Sequence, residues 1–79
     1  SYVEGPALPQ GSAVAVVEDV VTSGASLLRA IERIEAAGYR PVQALAIVDR
    51  QEGGREAIKE RGFDLQALFA RRDLGLDRE

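Results

Sequence analysis

Apolar runs alternate with amphipathic segments along this chain. Residues 14–17 and 42–48 form two short apolar runs rich in β-branched side chains, a composition typical of strands buried in a parallel sheet. Between them, apolar residues recur at helical spacing with charged residues opposite, which predicts a helix over 26–37 that ends at Gly38. The apolar positions of this predicted helix are Leu27, Leu28, Ile31 and Ile34.

The second half of the chain continues the alternation. Gly53 and Gly54 open a short predicted helix that runs to Arg61 and is closed by Gly62, and the alternating apolar residues that follow predict a third strand within 63–70. Consecutive strand-helix-strand units form parallel sheets with right-handed crossovers. The predicted fold class is therefore α/β, with a parallel β-α-β-α-β sheet.

These elements make up a single partial domain over residues 1–79. Residues 1–12 are rich in glycine and proline and form an irregular lead-in, 13–70 hold the β-α-β-α-β core, and 71–79 form a polar tail. Three strands are about half of a doubly wound sheet. We therefore expect at least one sheet edge without a neighbour, which makes an isolated chain prone to associate.

An acidic pair and a small-residue turn follow the first apolar run. Glu18 and Asp19 are expected to end the strand, and residues 22–26 lead into the helix with small side chains. Amides at a helix N-terminus favour an anion, and carboxylates accept strong hydrogen bonds from hydroxyl groups, so the arrangement suits a phosphorylated sugar. Gly24 allows a backbone geometry that other residues resist. The ordinary alternative is a pair of loop carboxylates beside a Ser/Thr helix cap.

The amino-acid composition excludes several kinds of site and partner. The 79 residues are 46% hydrophobic and 29% charged, as in a globular protein, and include neither cysteine nor histidine. Disulfides, thiolate metal sites and imidazole catalysis are therefore excluded within these residues. A net charge of −3 without a basic cluster disfavours nucleic-acid binding, and no apolar run approaches the ~20 residues of a membrane span. We expect neither nucleic acid nor a membrane as partner, and a cytoplasmic location.

The acidic pair and the turn together resemble the phosphoribosyl pyrophosphate (PRPP) motif of the type I phosphoribosyltransferase family. Glu18-Asp19-Val20-Val21-Thr22-Ser23-Gly24 is most similar to the motif of the orotate phosphoribosyltransferases, and Asp49-Arg50-Gln51-Glu52-Gly53-Gly54-Arg55 resembles the segment after their next strand. The resemblance implies half of a Rossmann-like type I fold and the C-terminal segment of a larger enzyme. The family usually has Thr and Gly at the positions of Ser23 and Ala25. The implied PRPP-binding residues are Glu18, Asp19, Val20, Val21, Thr22, Ser23, Gly24, Ala25 and Ser26.

The resemblance also implies an activity. The larger enzyme would convert orotate and PRPP to orotidine 5′-monophosphate and pyrophosphate in UMP biosynthesis, with Mg²⁺ as cofactor and no metal ligand from this chain. Glu18 and Asp19 are the implied catalytic residues, since in the family the acidic pair holds the ribose hydroxyls, and Thr22 and Arg50 are the implied orotate-binding residues. The family's N-terminal portion supplies pyrophosphate contacts and a lysine-bearing loop within a homodimer. We therefore expect the isolated 79-residue chain to be inactive.

Alternative functions stay open at this point. The chain could belong to another type I phosphoribosyltransferase or to a regulator that binds PRPP without catalysis, and it could be a nucleotide-binding or structural α/β segment unrelated to PRPP. Arg50 has an ordinary alternative as a surface charge paired with Asp49 or Glu52. Arg55 is interpreted as a surface charge and as a candidate for shaping its loop.

Overall fold

The computed structural model describes residues 8–74, which fold into three strands and two helices in the order predicted from the sequence. The elements are β1 at Ala13–Val21, α1 at Ala25–Ala36, β2 at Arg40–Asp49, α2 at Gly54–Glu60 and β3 at Leu65–Ala70, followed by a 3₁₀ turn at Arg71–Leu74. Residues 1–7 of the predicted lead-in and 75–79 of the predicted tail lie outside the described residues. The α/β prediction is confirmed.

The three strands form a parallel sheet in the order β1-β2-β3. Val21 at the end of β1 lies opposite Asp49 at the end of β2, which in turn lies opposite Ala70 at the end of β3. The carboxyl ends of all three strands therefore meet at one edge. In open α/β sheets that edge is where ligands bind.

The first strand is longer than predicted. The expectation that Glu18 and Asp19 end it is wrong, because β1 continues through both residues to Val21 and pairs Glu18 with Ala46 of β2. Ladder hydrogen bonds come from backbone groups, so polar side chains do not stop a strand that has a partner. For the same reason β2 starts at Arg40, before the apolar run, and takes in Pro41. Pro41 lies opposite Val14, next to a register irregularity in β1, where a missing amide is tolerated.

Both helices pack on the same face of the sheet. One core cluster contains Ile31 of α1 and Ile58 of α2, together with Ala44 and Ala46 of β2. Full burial of an isoleucine contributes about 1.5–3 kcal/mol, so this cluster is the main source of stability in the described residues. Three predicted apolar positions of α1 are buried, namely Leu27, Ile31 and Ile34, together with Ala30. The fourth, Leu28, is partly buried against the cluster.

The other face of the sheet is apolar and open. Ile47 and Leu68 are 43% and 74% exposed, and a shallow cleft of about 300 Å³ runs between β2 and β3 on this side. Its lining residues are Val17, Leu45, Ala46, Ile47, Gln66, Ala67 and Leu68. Within residues 8–74, β1 and β3 each pair with β2 alone. No helix in the described part of the chain is long and apolar enough to cross a membrane.

Candidate functional site

The turn between β1 and α1 presents a helix N-terminus at the carboxyl edge of the sheet. Gly24 adopts φ +88°, a left-handed conformation that favours glycine, and α1 begins at Ala25. No side chain caps the helix at Gly24, and its first turn contains no acidic residue. The Ala25 N–H donates to the Ser23 Oγ across 3.4 Å, which is long for a hydrogen bond and therefore weak. The amides of this first turn are therefore available to an anion.

Glu18 lies beside this turn on the helix-bearing face. Glu18 is 7% exposed, and the Ser26 hydroxyl donates a hydrogen bond to Glu18 Oε1 at 3.1 Å. A cleft of about 30 Å³ opens between the strand end and the helix start. It is lined by Glu18, Val20, Val21, Thr22, Gly24, Ser26 and Leu27. The structure thus brings a buried carboxylate to the same cleft as the glycine turn.

The two members of the acidic pair occupy different environments. Asp19 is exposed and is not part of the cleft lining, whereas its neighbour Glu18 is buried. Successive side chains of a strand point to opposite faces, so this separation follows from the extension of β1 through the pair. Ser23 and Ala25, the two departures from the family motif, are exposed and also lie outside the cleft lining. Among the described non-glycine residues only Gln51 has a positive φ, so the alanine at position 25 is unstrained.

The second sequence motif lies at the same edge of the sheet. The Arg50 N–H donates to the Val21 carbonyl at 2.9 Å and joins the loop after β2 to the end of β1. The Arg50 side chain is half-exposed and pairs with Glu52, with Nε and Oε2 at 3.3 Å. A surface ion pair of this kind contributes about 0–1 kcal/mol, so it leaves the guanidinium free to exchange partners.

The sequence analysis missed the role of Asp49. This carboxylate is 2% exposed; Oδ1 accepts the Gln51 N–H at 2.9 Å and Oδ2 accepts Arg55 Nε at 3.3 Å. Arg55 also donates through Nη1 to the Leu65 carbonyl at 2.7 Å. Arg55 therefore shapes its loop and is more than a surface charge. The sequence does show an aspartate at the end of a buried strand. It does not show that this aspartate pairs with Arg55, because no local pattern links the two positions.

Carboxylates are the candidate metal ligands of this chain, because its sequence contains neither histidine nor cysteine. Among residues 8–74, no three of them come together in a group that could hold a metal ion. Glu18 and Asp19 are the acidic residues at the cleft end of β1. A metal held wholly by protein ligands therefore does not fit this site, whereas a cation that arrives on a phosphorylated ligand needs few protein ligands.

Comparison with known proteins places this geometry in a family. The family model described as phosphoribosyl transferase domain matches residues 2–70. The chain is 50% identical over 74 residues to an orotate phosphoribosyltransferase of Thermosynechococcus vestitus, a match that covers 94% of the chain and 39% of that relative. The chain thus spans about two fifths of the length of the curated relatives it matches.

Solved structures agree with the sequence comparison. Orotate phosphoribosyltransferase of Mycobacterium tuberculosis in complex with inorganic phosphate matches with a TM-score of 0.84 at 37% identity, covering 92% of the chain and 43% of that protein. The same enzyme in complex with PRPP matches with a TM-score of 0.78 at 38% identity, covering 81% of the chain and 40% of that protein. Both similarities extend over most of the described elements.

Proposed function

This chain belongs to the phosphoribosyl transferase domain family, and from that premise we propose that the full-length protein that carries it is an orotate phosphoribosyltransferase. It transfers the 5-phosphoribosyl group of PRPP to orotate, forming orotidine 5′-monophosphate and pyrophosphate in pyrimidine biosynthesis. The observation that carries this proposal is the buried Glu18 carboxylate beside the uncapped Gly24 turn that opens α1. The identity to relatives named for this activity supports the choice of base.

Loop 22–26 is proposed to hold the 5-phosphate of PRPP. A left-handed Gly24 turns the chain so that the first amides of α1 point out of the helix, where the helix dipole favours negative charge. The absence of an acidic residue from the first turn of α1 removes a source of repulsion for the phosphate. The Thr22 hydroxyl adds a donor at the cleft, and the Ser26 hydroxyl, which donates to Glu18 in the structure, turns to the phosphate when Glu18 accepts from the ribose.

Glu18 and Asp19 are proposed to hold the ribose. A carboxylate accepts strong hydrogen bonds from a diol, and negative charge near the sugar stabilises the positive character that develops on the ribose ring as pyrophosphate leaves. Glu18 lines the cleft next to the phosphate loop, and Asp19 is exposed on β1. The proposed contacts to the ribose therefore start from two sides of the strand. The two carboxylates then contact the ligand from different directions, which restricts its orientation.

Arg50 and Thr22 are proposed to bind orotate. The planar guanidinium donates two parallel hydrogen bonds to a carboxylate or a pair of carbonyl oxygens, which suits the anionic edge of orotate. The Arg50 N–H donates a hydrogen bond to the carbonyl of Val21, the residue before Thr22. The backbones of the two proposed orotate-binding residues therefore lie close together. The weak ion pair with Glu52 costs little to exchange for the ligand.

We further propose that Mg²⁺ enters on the diphosphate of PRPP and takes few or no ligands from these residues. Magnesium commonly binds through phosphate oxygens and water with one or two carboxylates. When bound, it neutralises diphosphate charge. The family resemblance supports a homodimer for the full-length protein, and we propose a cytoplasmic location for it.

The proposal is tested with the purified full-length protein, PRPP and Mg²⁺. We expect consumption of orotate with release of pyrophosphate, and no consumption of adenine, hypoxanthine or uracil under the same conditions. Turnover of another base in place of orotate would contradict the assignment of substrate. PRPP binding without turnover of any base would instead indicate a regulator.

Arg50→Ala in the full-length protein is expected to raise the KM for orotate more than the KM for PRPP. Loss of a charge-assisted contact of about 1.5–3 kcal/mol corresponds to roughly a ten- to hundredfold change. Steady-state kinetics with each substrate varied in turn measures the difference. Arg61→Ala is the matched control, because Arg61 is a half-exposed arginine that pairs with Glu35 on the helical face. Equal changes in both KM values for Arg50→Ala would indicate a structural role for Arg50.

A further inference from the structure

The start of α2 packs directly against loop 22–26. A Cβ added to Gly24 would lie 3.1 Å from Gly54 Cα and 3.2 Å from its carbonyl oxygen. A Cβ added to Gly54 would overlap Val21 Cγ1 and lie 2.7 Å from the Thr22 carbonyl oxygen. The two glycines therefore bring the backbone of loop 22–26 into contact with the backbone at the start of α2, without side chains between them.

Position 54 requires a glycine because the neighbouring atoms leave no room for a side chain, and not because of its backbone conformation. Gly54 is buried as the first residue of α2, and it is not among the glycines with positive φ. Its backbone is open to any L-residue, so the contacts with Val21 and Thr22 are what exclude a side chain. A substitution here can be accommodated only if the 22–26 loop or the start of α2 moves.

The start of α2 is held in place from the other side. The buried Asp49 carboxylate binds Arg55 Nε, and Arg55 Nη1 donates to the Leu65 carbonyl of β3. The Arg50 N–H donates to the Val21 carbonyl and closes the gap between the two loops. Since α2 is anchored to β2 and β3, an added Cβ at position 54 displaces the β1–α1 loop.

We propose that Gly54 is a positioning residue whose contact with Val21 and Thr22 sets the shape of loop 22–26. The geometry of the first amides of α1 then depends on a residue that itself touches no ligand. The inference rests on the proposed function in one respect, namely that loop 22–26 holds the phosphate of PRPP. The contact itself is independent of any ligand.

The first measurement uses the full-length protein without ligand. Gly54→Ala is expected to shift the backbone amide resonances of residues 22–26 and to speed their hydrogen exchange. Gly62→Ala is the matched control: Gly62 closes the same helix, has φ +103°, and has no atom within 4 Å of an added Cβ, so it strains the chain without reaching the loop. Gly62→Ala is expected to leave the amides of 22–26 unchanged.

The second measurement is PRPP affinity by titration calorimetry. We expect Gly54→Ala to weaken PRPP binding by about ten- to a hundredfold, which corresponds to the loss of one hydrogen bond from the loop amides to the charged phosphate. Gly62→Ala is expected to bind PRPP normally. Arg55→Met removes the contacts of α2 with Asp49 and Leu65 and adds no atom near Gly24. It is expected to weaken PRPP binding less than Gly54→Ala does. If Gly54→Ala fails to fold, the PRPP affinity of Arg55→Met tests the proposal in its place.

Unchanged amides and unchanged PRPP affinity in Gly54→Ala would overturn the proposal. Equal losses in Gly54→Ala and Gly62→Ala would also overturn it, because they would indicate general destabilisation. In the absence of a foldable Gly54→Ala, wild-type affinity in Arg55→Met would do the same. If the unsubstituted protein does not bind PRPP, the proposed function fails, and the amide comparison still decides whether Gly54 shapes the loop.

Discussion

Replacing Glu18 and Asp19 together in the full-length protein is expected to lower kcat/KM for PRPP by roughly 10²–10⁴-fold, from two charge-assisted hydrogen bonds of about 1.5–3 kcal/mol each. Both contacts are proposed to strengthen as positive charge develops on the ribose, so kcat falls as well as affinity. Glu18→Gln with Asp19→Asn is the sharper form of the variant. The glutamine keeps an oxygen that can accept the hydrogen bond from Ser26.

Steady-state kinetics and a thermal melt of the double variant measure this effect. Glu32→Gln with Glu60→Gln is the control, because it removes the same amount of charge from exposed helix positions. Comparison of the two single variants separates the contribution of Glu18, which lies in the cleft, from that of Asp19, which is exposed. Kinetics close to those of the control pair would reject the assignment of the acidic pair to the ribose.

The 79-residue chain by itself is expected to show no measurable conversion of orotate and PRPP. Ligand sites for small molecules enclose about 300–1,000 Å³, whereas the cleft at Glu18 and Gly24 is about 30 Å³. The site formed by the described residues therefore covers only one side of a ligand as large as PRPP. The apolar face at Ile47 and Leu68 is also exposed, which favours self-association of the isolated chain.

An assay of the purified chain with orotate, PRPP and Mg²⁺, beside the full-length protein, checks this expectation. Circular dichroism first establishes that the chain is folded, and sedimentation establishes its association state. Weak binding of ribose 5-phosphate is compatible with the expectation, since loop 22–26 is intact in this chain. Turnover near that of the full-length protein would contradict it and would indicate a complete site within these residues.

The sequence by itself determined the order of the strands and helices, and which segments meet at one edge of the sheet. Periodic apolar residues and the glycines at helix ends depend on neighbours a few residues away, and the order of strands and helices follows from them. The stripe of Leu27, Ile31 and Ile34 was predicted and is buried in the structure. The two motif segments were predicted to lie at the carboxyl ends of β1 and β2, and the structure brings both segments to the same edge of the sheet.

Only the tertiary structure decided how these residues are arranged. The continuation of β1 through Glu18 and Asp19 depends on pairing with β2, and it puts one carboxylate in the cleft and exposes the other. The contact between Gly24 and Gly54 joins the β1–α1 loop to the first residue of α2. Such contacts connect positions far apart in the chain, and no local pattern of apolar and polar residues records them. The shape of the site is therefore set by strand pairing and by packing between distant residues.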